Sequence, residues 1–152
     1  MLYIVRHCKA AGQQPEAVLT ADGHLQAVQL AERLAALPIE RIISSPFLRA
    51  KQSIAPLAER FGLQINLDTR LAERVLAVPE PPDWLAALKL SFDDLDRCFT
   101  GVLVTHGNLL TLLLKHFDDQ IGFAHWQQLT YPDVYRITRT AECAEMERIW
   151  VV

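Results

Sequence analysis

The chain has 152 residues, of which 51% are hydrophobic and 22% charged, the proportions of one globular domain large enough to bury a core. Its net charge of −3 argues against a nucleic-acid binder held through phosphate-backbone contacts, so any positive site must be small and focused. The odd count of three cysteines (Cys8, Cys98, Cys143) without paired metal-ligand spacing indicates neither a disulfide framework nor a zinc site. With no basic leader and no apolar run long enough to cross a membrane, a reducing cytoplasm is the expected location.

Leu2 to Val5 has the length and β-branched content of a buried strand, and it breaks abruptly into Arg6-His7 at its C-terminal edge, where open α/β sheets bind ligands. After a loop over Gly12 to Pro15, Thr20 is placed to cap a helix with Asp22 in its first turn. Ala27, Val28, Ala31, Leu34 and Ala35 form its expected inward stripe, and Pro38 ends it. Ile39 to Ser44 is a second apolar run. Ser45-Pro46 then reads as a capping serine with proline at the first helical position, opening a helix through Leu48, Ala50, Ile54, Leu57 and Phe61 to Gly62. Pro56 is expected to kink or split that helix. Arg49 falls about one turn inside it.

Leu63 to Leu67 alternates like a strand with one buried face. Asp68 to Asp83 reads as a long loop carrying Glu73 and Arg74, and Trp84, Leu85, Leu88, Phe92, Leu95 and Phe99 give a helical stripe. Gly101 to Thr105 is a second buried strand, and it too runs into a histidine, His106, followed by Gly107-Asn108. A helix from Leu109 to about Phe117, a short one over Ile121 to Gln128, and an antiparallel pair, Val134 to Thr138 with Met146 to Val152, complete the chain. Strands alternating with helices predict an α/β fold, a mostly parallel central sheet covered on both faces.

Arg6, His7, Arg49 and His106 all stand where a strand stops or a helix begins. Phosphoryl transfer needs fixed cations around several charged oxygens, a task suited to the planar guanidinium fork. An imidazole can attack phosphorus directly to give a phosphohistidine, and a loop carboxylic acid, best supplied by Glu73, can protonate the leaving oxygen. Neutral His7 is needed for attack and a protonated His106 for charge stabilisation, so their pKa values should be pushed apart. Asn108 either contacts substrate or caps the next helix. His24, His116 and His125 have no recognisable partner, and Trp84, Trp126, Tyr131 and Tyr135 read as core or pocket rim.

These residues also carry a resemblance. Arg6-His7 after a first strand, Leu19-Thr20-Ala21-Asp22-Gly23, Ser44-Ser45-Pro46-Phe47-Leu48-Arg49-Ala50 and Val104-Thr105-His106-Gly107, in that order, resemble the histidine phosphatase superfamily, also called phosphoglycerate mutase-like. The resemblance implies a three-layer α/β/α sandwich in a single domain over residues 1–152. It also implies His7 as the phospho-accepting nucleophile, with Arg6, Arg49 and His106 completing the phosphate pocket. Leu71-Ala72-Glu73 matches the segment that bears the acid in the family's larger branch. Gly107, Asn108 and Gln13 fall on the substrate-binding side, Gln13 as counterpart of a phosphate-contacting Asn. No metal and no cofactor are implied.

The chain departs from the family pattern at Cys8, where Gly is usual and where a Cβ restricts the backbone and narrows the pocket unless φ is negative, a residue read mainly as tolerated packing, and at Lys9, where Glu or Gln is common. The segment between Glu73 and Gly101 is too brief for the helical insertion that covers the pocket of sugar-phosphate mutases, so an open site is expected. The expected activity is therefore hydrolysis of a phosphomonoester or phosphohistidine, on a small phosphorylated metabolite or a phosphoprotein. A non-catalytic phospholigand-binding or regulatory module is the alternative, and a phosphoglycerate-type mutase a further one.

Overall fold

A five-residue strand buried at every position must be covered on both faces, and two such strands lie side by side at the centre of this molecule. The computed structural model describes residues 1–73, 100–140 and 143–150. The helix expected over Trp84 to Phe99, Arg74 and Cys98 lie outside the described residues. Strands β1 (Leu2–Arg6), β2 (Arg41–Ser44), β3 (Ile65–Leu67), β4 (Gly101–Thr105), β5 (Asp133–Arg139) and β6 (Ala144–Arg148) form one sheet in the order β3-β2-β4-β1-β5-β6. The first four run parallel; β5 is antiparallel to β1, and β6 to β5.

Successive side chains of the central strands feed opposite faces. Tyr3, Val5, Ile42, Val102 and Val104 pack with Leu30 and Leu34 of α1 (Ala21–Leu34) and with Ile54 and Leu57 of α2 (Leu48–Phe61). Leu2, Ile4, Ile43 and Leu103 pack on the other side with Leu109, Leu110, Leu113 and Leu114 of α3 (Gly107–Phe117). The result is the expected three-layer α/β/α sandwich. The short helix α4 (Phe123–Gln127) comes after α3 and has no buried residue.

Register aligns the strand ends that matter. Arg6 lies opposite Thr105 and Ser44 opposite Val104. Backbone bonds from His7 N–H to the Thr105 carbonyl (3.1 Å) and from Ser45 N–H to the Val104 carbonyl (2.9 Å) carry the ladder one residue past each strand.

Several local expectations are corrected by packing. α2 begins at Leu48 with Phe47 as its cap residue, because the Ser45 hydroxyl accepts from the Phe47 N–H in a local turn instead of capping a helix. The helix runs unbroken through Pro56, held along its inner side by the buried Ser53, Ile54, Leu57 and Ala58. On α1, Val28 is exposed and Leu30 is buried in its stead, so the true stripe is Gly23, Ala27, Leu30, Ala31 and Leu34. β3 spans three residues of the sheet edge; Leu63 and Ile65 are half-buried against the core as the alternation predicts, and only Leu67 of that face is exposed. α3 starts at Gly107 and is capped by His106, which removes the capping role considered for Asn108. Thr20 caps α1 through the Gly23 N–H, and Gly62 closes α2 in the left-handed conformation, both as the sequence predicts.

Candidate active site

The parallel strands β1, β2 and β4 end on one edge, and each gives way to polar residues: Arg6-His7, Ser45 with Arg49 in the first turn of α2, and His106 at the start of α3. Burying these groups demands partners. Arg49, fully buried, spends its Nη1 on the carbonyls of Gln13 (3.2 Å) and Gln14 (2.9 Å), its Nη2 on Glu73 Oε2 (3.1 Å), and its Nε on His7 Nε2 (3.3 Å). One guanidinium therefore ties the loop after β1 to the nucleophile candidate and the acid candidate. Gln13 enters through its backbone; its side chain is exposed.

The His7 ring sits 2.7 Å from the Cys8 carbonyl through Nδ1, which must carry the proton to make that bond. Nε2 is left with its lone pair in the pocket. Burial pushes His7 down to about 3 against the raising effect of the Cys8 carbonyl, with His106, Arg49 and Arg6 adding repulsion. The imidazole is thus held neutral, with its Nε2 lone pair accepting from Arg49 Nε. Its backbone is held by a relay in which the Cys8 N–H donates to Ser53 Oγ (2.7 Å) and the Ser53 hydroxyl donates to the Arg49 carbonyl (2.6 Å).

Cys8 does not narrow the pocket. Its side chain is buried among the residues between the sheet and α1–α2, and burial pushes its thiol up to about 12, the condition of a packing residue rather than a reactive one. Lys9 is exposed and pairs at 3.6 Å with Asp22.

Arg6 approaches from β1. Its Nη1 donates to the carbonyls of Leu129 (3.1 Å) and Thr130 (3.4 Å), and the guanidinium lies 3.6 Å from the Tyr131 ring centroid, a stacked cation–π contact. A Cβ on Gly107 would lie 3.0 Å from Cζ, Nε and Nη2 of Arg6, so glycine there permits the guanidinium to rest against the N-terminus of α3. That N-terminus adds its own partial positive charge to the pocket. Asn108 is the second residue of α3 and half-buried.

Glu73 reaches the pocket from the turn Thr69–Leu71, which the buried Thr105 hydroxyl clamps by donating to the Leu71 carbonyl at 2.9 Å. Its Oε2 lies 3.1 Å from both Arg49 Nη2 and His106 Nδ1. Burial alone would push this carboxyl up, but His106 and Arg49 together hold it below the usual carboxylate range. The ionised carboxylate occupies the place between Arg49 and His106 that suits a phosphoryl oxygen. His106, fully buried, is lowered chiefly by burial and further by Arg49 and Arg6, with Glu73 opposing. The expectation of a protonated His106 is therefore corrected: both histidines are lowered.

His7, Glu73 and His106 bring three potential metal-ligand atoms within 4.8 Å of one another. Two guanidinium groups and a helix N-terminus surround them, and the His7 Nε2 lone pair already accepts from Arg49, so the electrostatics favour an anion over a cation.

A family model described as "Histidine phosphatase superfamily (branch 1)" matches residues 2–89. The chain belongs to the histidine phosphatase superfamily. A Salmonella choleraesuis (strain SC-B67) relative, named probable phosphoglycerate mutase GpmB, is 36% identical over 86 residues, covering 52% of this chain and 40% of the relative. The matched stretch thus spans less than half of that protein. Among solved structures, the phosphoserine phosphatase of Entamoeba histolytica superposes with a TM-score of 0.78 at 16% identity over 95% of this chain and 93% of that one. A mycobacterial glucosyl-3-phosphoglycerate phosphatase superposes with a TM-score of 0.73 at 21% identity over 97% and 96%. These likenesses are of fold.

Within this histidine phosphatase superfamily site, sequence reasoning brought together Arg6, His7, Arg49, Glu73, His106 and Gly107. It missed the groups that hold them. Ser45 bonds His106 Nε2 at 2.8 Å and Phe47 meets the His106 ring edge-on at 5.0 Å, whereas Tyr131, read from the sequence as core or pocket rim, does stand at the rim, 5.4 Å from the His7 ring. Ser45-Pro46 reads locally as a helix cap, which conceals a serine aimed at a histidine 61 positions away. His125, assigned no partner, accepts the Gly122 N–H on Nδ1.

Proposed function

We propose that this chain is a cofactor-independent phosphatase that hydrolyses a phosphomonoester or phosphohistidine through a covalent phosphohistidine on His7. The observation that carries the reading is the His7 ring itself, held neutral with Nδ1 bound to the Cys8 carbonyl and Nε2 directed among Arg6, Arg49 and His106. Phosphoryl oxygens take the place that Glu73 Oε2 holds between Arg49 and His106. His7 Nε2 attacks phosphorus in line, the P–N bond forms, and the P–O bond to the leaving group breaks.

Displaced from the Arg49 guanidinium and from His106 Nδ1 and set beside a dianion, the Glu73 carboxylate loses what keeps it ionised and takes up a proton. It then protonates the departing oxygen and, as carboxylate, deprotonates the water that releases phosphate from His7. Gly107, Asn108 and Gln13 are assigned to the substrate side. A reducing cytoplasm is the assigned setting, and a small phosphorylated metabolite or a phosphoprotein is the assigned substrate class. The described residues contain no helix long and apolar enough to cross a membrane.

The test is phosphate release from p-nitrophenyl phosphate, a metabolite panel and a phosphohistidine peptide, with His7→Ala as blank. The expected result is turnover abolished by the substitution, with an acid-labile, base-stable phosphoenzyme trapped only in the wild type. Phosphate binding without hydrolysis across the panel would favour the regulatory-module reading. Interconversion of 2- and 3-phosphoglycerate without phosphate release would favour the mutase.

A further inference from the structure

We infer that Ser45 is a positioning residue: its buried hydroxyl, 2.8 Å from His106 Nε2, holds His106 as a neutral imidazole with the proton on Nδ1, directed at the phosphoryl oxygen. The inference deepens the phosphatase reading and rests on it for its kinetic consequence.

Both sides of the ring bear on the assignment. A serine hydroxyl has one proton and two lone pairs. In Ser45 a lone pair accepts the Phe47 N–H at 3.2 Å, and His106 Nε2 is the ring acceptor within reach of the proton. On the far side, His106 Nδ1 faces Glu73 Oε2 at 3.1 Å, an oxygen that when ionised can only accept. A lone pair on Nδ1 would confront a carboxylate lone pair, so the proton belongs there. The Ser45 contact admits either direction, since the second hydroxyl lone pair can accept an Nε2–H; the Glu73 side selects Nδ1–H, and Ser45 is then the donor to Nε2.

The 3.1 Å approach to Glu73 is not aligned as a hydrogen bond, and His106 Nδ1 is a buried polar atom without one among the described residues. Its N–H is thus open to a ligand oxygen. The groups that face His106 are Arg6 and His7 from β1, Arg49 from α2 and Glu73 from the turn after β3. Two guanidinium groups already supply positive charge, so the pocket gains a directed donor from His106 without needing a third cation. Fixing the ring by a bond at its other nitrogen is the usual way a protein selects a histidine tautomer.

The experiment is a two-bond 1H–15N correlation spectrum of histidine-labelled resting protein near pH 7.5, for wild type, Ser45→Ala and Ser45→Thr. The expected spectrum shows His106 protonated on Nδ1 in wild type and Ser45→Thr, and mixed or Nε2-protonated in Ser45→Ala. In parallel, kcat/KM for p-nitrophenyl phosphate should fall about tenfold to a hundredfold in Ser45→Ala, the scale of weakening one transition-state donor. The deficit should shrink as pH falls, because an imidazolium carries both protons and no longer needs the serine, and Ser45→Thr should restore the rate.

An Nε2-protonated His106 in wild type would overturn the inference, as would a Ser45→Ala deficit that is constant with pH. The tautomer is read without substrate, so a protein that proves catalytically silent but shows Nδ1–H controlled by Ser45 would refute the phosphatase and leave the positioning role standing.

Discussion

Replacing His7 by Gln should remove a specific acid sensitivity from the fold. In the unfolded chain a histidine takes up its proton near its ordinary value of 6.5, whereas in the folded protein His7 does so only at about 3. Between those values the unfolded state binds more protons, so stability rises with pH and is lost as pH falls from 6.5 toward 3. At about 1.36 kcal/mol per pH unit, lowering the pH from 7.5 to 4.5 crosses about two units of that window and costs the wild type roughly 2 to 3 kcal/mol through His7 alone.

The assay is urea unfolding followed by circular dichroism at both pH values, for wild type and His7→Gln. The quantity of interest is the difference between the two pH-dependent losses, since strain or a cavity introduced by the substitution acts equally at both pH values. The wild type should lose roughly 2 to 3 kcal/mol more than the variant. Equal losses, within about 0.5 kcal/mol, would refute the claim that the folded site holds this imidazole neutral. They would also remove the basis for His7 as a nucleophile ready in acid.

The same geometry makes four further predictions. Glu73→Gln, which keeps the shape but cannot hold a transferable proton, should slow hydrolysis of an alkyl phosphate about 10²- to 10⁴-fold while affecting p-nitrophenyl phosphate much less; equal losses on both substrates would exclude the acid role. Calorimetry of vanadate binding in buffers of different ionisation enthalpy should show proton uptake in the wild type and none in Glu73→Gln. Arg49→Lys substitutes a point charge for a fork that meets Gln13, Gln14, Glu73 and His7, and should destabilise the protein by roughly 2 to 3 kcal/mol in urea and raise KM for phosphoesters. Gly107→Ala, whose Cβ would lie 3.0 Å from three atoms of the Arg6 guanidinium, should push that group aside by a few tenths of an ångström and so weaken inhibition by inorganic phosphate several-fold.

The electrostatics explain how one carboxyl can serve two states. In the resting site Glu73 is ionised because Arg49 and His106 outweigh its burial. A bound phosphoryl dianion reverses the balance by taking both partners and adding a like charge. In the proposed mechanism the acid is therefore generated by the substrate it is to act on, and the resting site does not carry the proton in advance.

The layers of the fold were legible in local pattern. Leu2 to Val5 and Gly101 to Thr105 are apolar at nearly every position, which only a doubly covered strand tolerates, and the polar residues ending each run marked the functional edge of the sheet. Arg6, His7, Arg49 and His106 were found from their places at element ends because a parallel sheet brings such ends together. Thr20 and Gly62 were legible for the same local reason, since a cap is decided within a few residues.

Tertiary structure alone decided the rest. Ser45 left the helix-capping role its neighbour Pro46 signals because a buried imidazole on β4's extension competes for its hydroxyl. Pro56 was accommodated inside α2 where packing on the sheet outweighs a lost backbone bond, and Val28 lost the inner face of α1 to Leu30 because only the rotation of the docked helix chooses between adjacent stripes. The protonation states could not be read from sequence either. His7 and His106 are lowered by burial and by cations from distant segments, and Glu73 is ionised by two of the same partners, so the charge at each depends on the others' positions in space. Sequence by itself determined which residues reach the sheet edge; the three-dimensional meeting of Arg49, Ser45, Glu73 and the two histidines determined which atoms carry protons there, because desolvation and charge act through space and not along the chain.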